Sequence, residues 1–266
     1  RRHTRYGTVT GVQTCALPIS VYLFKNIVFA IFRFTDQSFS EEENKIFKRI
    51  GKAFEQAYTR FLDLQKAEAQ AREAKIEAAL EKIRSRSLAM NRSLEIKEII
   101  NLVFRQLKEL KVQMVSATLI IVDDETRTNE HWIASDGFDY STKLLVQEEK
   151  GILAEAFRQA WNTKTDYHHV YTFEEKNEYL HYLFEHSDFK YLDNERKQFL
   201  LNTKVYNLAH AFTRNGCLTL ARFDETPYSS FDLKILSQIA KVFDQAYTRF
   251  LDLQKAEAQA REAQIE

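Results

Sequence analysis

The chain has 266 residues, 44% hydrophobic and 29% charged, and its 38 basic side chains balance its 38 acidic ones. That length holds one or two cores, the composition excludes a disordered chain, and zero net charge excludes bulk nucleic-acid affinity. Two cysteines far apart supply neither a disulfide framework nor metal-ligand spacing, which fits a reducing, cytoplasmic setting; six glycines and two prolines favour helix-rich structure.

The first twenty residues, RRHTRYGTVTGVQTCALPIS, contain no acid. An export or lipidation signal around Cys15 fails because no apolar stretch precedes the cysteine. VTGVQTCALPI resembles the in-frame translation of a sequencing adapter. Residues 1–19 are therefore set aside as non-native, which takes the net charge to −3 and leaves Cys217 as the native cysteine. The expectation is that the native protein begins upstream. The longest apolar run, Ile19 to Phe34, is broken by Lys25, Asn26 and Arg33 and falls short of the roughly 20 residues that span a bilayer. Its Val, Ile, Tyr and Phe content predicts strands, and no membrane insertion is expected.

An internal repeat organises the rest. QAYTRFLDLQKAEAQAREAKIE, from Gln56 to Glu77, recurs 189 positions later from Gln245 to Glu266 with one change, Lys75 to Gln264. Upstream at the same offset, Arg33-Phe34 matches Arg222-Phe223, Phe39-Ser40 matches Tyr228-Ser229, and Ile50 and Phe54 match Ile239 and Phe243. Five segments follow: 1–19 non-native, 20–62 the C-terminal part of a first unit, 63–92 a linker, 93–250 a complete unit, and 251–266 the start of the next linker. The chain reads as an excerpt of a longer array.

Between the units, Glu41 to about Met90 has no Pro and a single Gly, Gly51, and predicts one helix of about 75 Å at ~1.5 Å per residue. Its stripe of Ile50, Phe54, Ala57, Phe61 and Leu64 gives way to Ala67, Ala71, Ala74 and Ala78, then to Ile76, Leu80, Ile83 and Met90. Such a shift is expected of a stutter in a parallel dimeric coiled coil, with a lone solvated helix as the alternative.

In the complete unit, Ser93 is the expected N-cap of a helix with its face at Ile96, Ile99, Ile100, Val103, Leu107 and Leu110. SATLIIVD and EHWIAS predict paired strands, YSTKLLVQ a third, Gly151 a helix start, and FEEKNEYLHYLFEH and DNERKQFLLN two further helices. Asn215-Gly216 predicts a hairpin between NLAHAFTR and CLTLARFD, and Pro227 with Ser229-Ser230 the start of the outgoing helix. This is an α+β domain: an antiparallel sheet flanked by helices, whose first and last helices lie side by side.

That order of elements resembles the GAF family of sensory domains. LQKAEAQAREAKIEAALEKIRSRSLAM is similar to the linker between GAF-like units in sensor histidine kinases of Bacteroidetes-type bacteria. The resemblance implies a cytoplasmic signal-input and relay segment, passing a small-molecule or partner signal through dimeric helical linkers to an output domain. The alternatives are a structural dimerisation scaffold, or the input region of a nucleotide cyclase or other output enzyme.

Catalytic chemistry finds no support in the motifs. There is no phospho-accepting His followed by an ATP lid rich in Asn and Gly, no phosphate-cradling glycine loop and no recognisable Ser-His-Asp set. No cofactor and no metal site are expected, since His181 and His186 are five apart rather than the four that align two ligands on a helix. Cys217 reads as a small buried strand residue. As candidate ligand contacts we name Trp132, Tyr140, Tyr167, His169 and His181, aromatic and imidazole groups able to line a small-molecule pocket.

Overall fold

A computed structural model describes residues 18–136, 143–147 and 150–265; residues 1–17, 137–142, 148–149 and 266 lie outside the description. The chain divides into two compact units, Arg1–Glu73 and Ala74–Glu266.

In the first unit, β1 (Ile19–Leu23) and β2 (Val28–Phe32) pair antiparallel, with Ile19 opposite Phe32. The hairpin lies on helix α1, which runs Glu41–Leu88 and contains the division between the units. Gly51 makes this approach possible, since a Cβ there would sit 2.6 Å from the Phe24 ring. Ser40 caps the helix: its Oγ accepts from the Glu43 amide at 3.2 Å, while the Glu43 carboxylate accepts from the Ser40 amide at 2.7 Å.

The second unit contains a six-stranded antiparallel sheet in the order β5-β4-β3-β8-β7-β6: β3 is Ser116–Asp123, β4 Thr128–Ser135, β5 Leu144–Gln147, β6 Tyr167–Tyr171, β7 Tyr206–Phe212 and β8 Gly216–Arg222. Side chains alternate across it. One face, with Ala117, Leu119, Ile121, Trp132, Ala134, Ala209, Ala211, Leu218 and Leu220, is covered by α2 (Ile96–Glu109), by α6 (Ser230–Ile265) and by Leu80 and Ile83 at the end of α1. The helices α3 (Ile152–Thr163), α4 (Phe173–His186) and α5 (Asn194–Asn202) cover the other. Gly216 is required where β8 meets β3, because a Cβ there would stand 2.1 Å from the Ile120 carbonyl oxygen.

Local chemistry explains the element ends. Thr172 and Glu175 form a reciprocal capping box on α4, and Asp193 accepts from the Arg196 amide at 2.7 Å to start α5. The buried ammonium of Lys176 donates to the Leu200 and Leu201 carbonyls at 2.9 and 3.1 Å, closing the C-terminal end of α5. Ser93 does not cap α2. It opens a short 3-10 turn, Ser93–Glu95, and the Glu95 carboxylate reaches back to accept from the Asn91 and Arg92 amides. The polar tract around His168 forms an unforeseen strand, β6. Of YSTKLLVQ, residues 140–142 lie outside the described residues.

The sequence repeat has a hydrogen-bond counterpart. At the tip of the first hairpin the Asn26 amide donates to Glu55 at 3.0 Å and its Nδ2 to Thr59 Oγ1 at 2.9 Å. Exactly 189 positions on, Asn215 makes the same two connections to Asp244 and Thr248 of α6, at 3.0 and 2.7 Å. The Ser229–Asp232 cap of α6 likewise mirrors Ser40–Glu43.

Candidate functional site

The face of the sheet turned away from α2 and α6 is lined differently from its reverse. Beneath α3, α4 and α5 lies a cavity of about 80 Å³, bordered by β3, β4, β7 and β8 residues that include Thr118, Ile120, His131, Ile133, Leu208, His210 and Thr219. The helices and β6 add Phe157, Tyr167, Tyr171, Tyr179, Leu183, Arg196 and Leu200. The walls are therefore mostly aromatic and aliphatic, with a few polar groups converging from strands. That mixture is characteristic of small-molecule sites.

The polar end is built on the β7–β8 hairpin. His210 Nδ1 lies 2.9 Å from Thr219 Oγ1, its direct cross-strand partner, and 3.8 Å from the Cys217 sulfur. Aromatic rings enclose the imidazole: Tyr167 stacks at 4.7 Å and 27°, and Phe157 meets it edge-on at 5.8 Å. Tyr167 and Tyr171 hydroxyls are 3.3 Å apart, and burial pushes the Tyr171 hydroxyl above the usual phenol range. At the opposite end, His131 meets Phe189 edge-on at 5.9 Å.

Cys217 is buried on β8 beside His210, and burial pushes its thiol well up, away from the thiolate needed for nucleophilic chemistry. Among the described residues, no three His, Cys, Asp or Glu side chains gather in a way that would hold a metal ion. No described helix is long and apolar enough to cross a membrane.

The five residues named from the sequence separate. Tyr167 lines the cavity. Trp132 does not: it is opposite Leu119 on β4, so the two-residue strand period sends its indole to the α2–α6 face, where it is 3% exposed. Its neighbours His131 and Ile133 take the cavity positions instead. His169 is exposed on β6, with its ring 4.6 Å from Tyr171, and His181 is exposed on α4. Tyr140 lies outside the described residues.

Sequence reasoning missed His131, His210 and Thr219. Alternation alone fixes only their relation: with Leu218 and Leu220 on the α2–α6 face, Cys217 and Thr219 face the other way.

A second, wider hollow of about 730 Å³ lies between the β3–β4 turn and α3. It sets Asp123, Asp124 and Glu155 among Arg127, Lys150 and Arg158, and Trp161 Nε1 donates to Asp124 at 2.9 Å. Its charges of both signs select no single ligand chemistry.

No family model matches the chain, and no curated protein does. Among solved structures it is similar to the phycocyanobilin-bound GAF domain of a cyanobacterial phytochrome, at 11% identity and TM-score 0.43, covering 66% of this chain and 94% of that one. It is also similar to the GAF domain of a two-component sensor histidine kinase from Bacillus halodurans, at 12% identity and TM-score 0.37, covering 57% and 95%. A third is the GAF domain of an Acinetobacter phosphoenolpyruvate-protein phosphotransferase, at 13% identity and TM-score 0.39, covering 64% and 93%.

Proposed function

We propose that the second unit is a non-catalytic sensory domain of a signal-transduction protein. It takes a small ring-bearing ligand between the sheet and α3–α5 and relays occupancy through its helices. The observation that carries this is the placement of the His210–Thr219 pair inside a mainly aromatic and aliphatic cavity. A ligand hydrogen-bonding group would meet that pair while its ring lies against Tyr167 and Phe157.

Size gives the mechanism. A cavity of about 80 Å³ is smaller than the roughly 150 Å³ that admits benzene elsewhere, so a ligand must select a state in which the covering helices stand off the sheet. The hairpin that supplies His210 and Thr219 is bonded at its tip, Asn215, to Asp244 and Thr248 of α6. A shift of β7 and β8 thus bears on the outgoing helix, which belongs to the proposed relay. We further propose that the helices act in a parallel homodimer, in the cytoplasm, upstream of an output domain such as a histidine kinase.

A thermal-shift screen with metabolite-sized aromatic compounds tests the proposal. A stabilising compound whose effect is lost in Tyr167→Ala and Thr219→Val, but kept in Trp132→Phe, is the expected result. A screen without such a compound favours the second reading, a scaffold whose packed interior only spaces and dimerises partners.

A further inference from the structure

One wall of the cavity beneath α3, α4 and α5 carries a cation. Arg196, in the first turn of α5, borders the cavity and is only 6% exposed. Its guanidinium carbon stands 5.1 Å from the Phe199 ring, a cation–π contact that steadies the planar group. Phe199 meets Phe223 edge-on at 5.5 Å, and Phe223 stacks on Tyr206 at 5.9 Å. Phe223 and Tyr206 line the same cavity.

Among the described residues, the other polar groups of this wall are hydroxyls and imidazoles, and none is a carboxylate. His210, Thr219 and Thr118 form one row across three strands, His210 opposite Thr219 and Thr219 opposite Thr118. Tyr206 is four residues before His210 on β7 and on the same face, so about 13 Å separates them at ~3.3 Å per residue. The cavity thus offers a guanidinium from a covering helix and a hydrogen-bonding row from the sheet. A buried guanidinium favours an anion, which offsets the charge held out of water. Its planar fork of donors matches a carboxylate in two parallel bonds.

We propose that the ligand is an aromatic carboxylic acid: a single ring whose carboxylate is received by Arg196 and whose second polar group is received by the His210–Thr219 pair. The inference rests on the ligand site of the proposed function and narrows what enters it. It also gives the acid a mechanical part. Arg196 belongs to α5, whereas the pair belongs to the β7–β8 hairpin, so a ligand that engages both ties a covering helix to the sheet. A neutral ring engages the sheet alone.

The test uses the full chain and four matched probes, phenylacetate and 4-hydroxyphenylacetate with the amide of each, titrated by calorimetry. Each acid is expected to bind at least about tenfold more tightly than its amide, the value of one charge-assisted bond. Arg196→Gln, checked for a native circular dichroism spectrum, should abolish that preference and leave amide affinity in place. Arg196→Lys, which keeps the charge and loses the fork, should retain part of it. If Arg196→Gln does not fold, the native preference and its decline in Arg196→Lys decide. Equal affinity for acid and amide, with both lost in Thr219→Val, would overturn the acid assignment while the sensory cavity stands. A preference undiminished in the folded Arg196 variants would overturn it as well. So would binding of none of the four probes at millimolar concentration, the sensory reading then resting on the broader thermal-shift screen.

Discussion

Asn215 and Asp244 are joined twice: both the backbone amide and the Nδ2 of Asn215 donate to the same Asp244 oxygen, each at 3.0 Å. A third bond, to Thr248 Oγ1, fixes the hairpin tip over one turn of α6. Asn215→Ala removes the two side-chain donors, and a loss of about 1–2 kcal/mol is expected in urea unfolding. Pairing it with Thr248→Ala in a double-mutant cycle should reveal non-additivity, because the two changes break a shared bond.

Tyr228 should be improved by losing its hydroxyl. The side chain is 4% exposed, its Oη has no hydrogen-bond partner among the described residues, and burial drives its ionisation far above the usual phenol range. The repeat has already made the change: Phe39 occupies the matching position, with Arg33 4.5 Å over its ring as Arg222 lies 5.5 Å over Tyr228. Tyr228→Phe is expected to raise stability by about 1 kcal/mol, measured by the urea midpoint, since it removes an unsatisfied buried group at constant shape.

Lys176 gives the second unit a pH signature. Burial lowers its ammonium from 10.5 to about 8, so the folded state releases the proton more readily than the unfolded chain does. Below pH 8 the charged form opposes folding in full. Between 8 and 10.5 the opposition fades, and stability rises with pH. Urea midpoints of the native chain minus those of Lys176→Met should therefore climb across that window. A flat difference would show that Lys176 keeps its ordinary affinity for the proton.

Trp132 and Tyr167 should separate stability from ligand response. Trp132→Ala empties a site in the α2–α6 core, at an expected cost of about 3–5 kcal/mol in denaturant unfolding. Tyr167 is partly exposed at the cavity, so Tyr167→Ala should cost less while altering uptake of an apolar dye.

Much of the second unit was legible from pattern. The face of α2 is strictly helical in spacing, and Asn215-Gly216 marks the β7–β8 hairpin. β6 was not legible, because Tyr167, His168 and His169 form an edge strand with two exposed imidazoles and show no apolar alternation. Ser93 looked like a cap by residue type, but the 3-10 turn starts one residue earlier than that reading needs, so Arg92 takes the cap position and Ser93 lies inside the turn. The cavity was harder still. Leu119 to Ile121 and Leu218 to Leu220 are apolar or small throughout, so the sequence does not say which side of each strand meets which helices. Trp132 and His131 are adjacent in sequence and serve opposite sides of the sheet.

That alternation has an evolutionary corollary. Along β3, β4, β7 and β8, odd and even positions answer to separate demands. One set packs against α2 and α6, and the other lines the cavity beneath α3, α4 and α5. Substitutions at Thr118, His131, His210 and Thr219 can accumulate while Leu119, Trp132, Ala209 and Leu218 stay fixed. Under the proposed function, a chain built this way changes the compound it takes one strand position at a time, with its architecture as a constant.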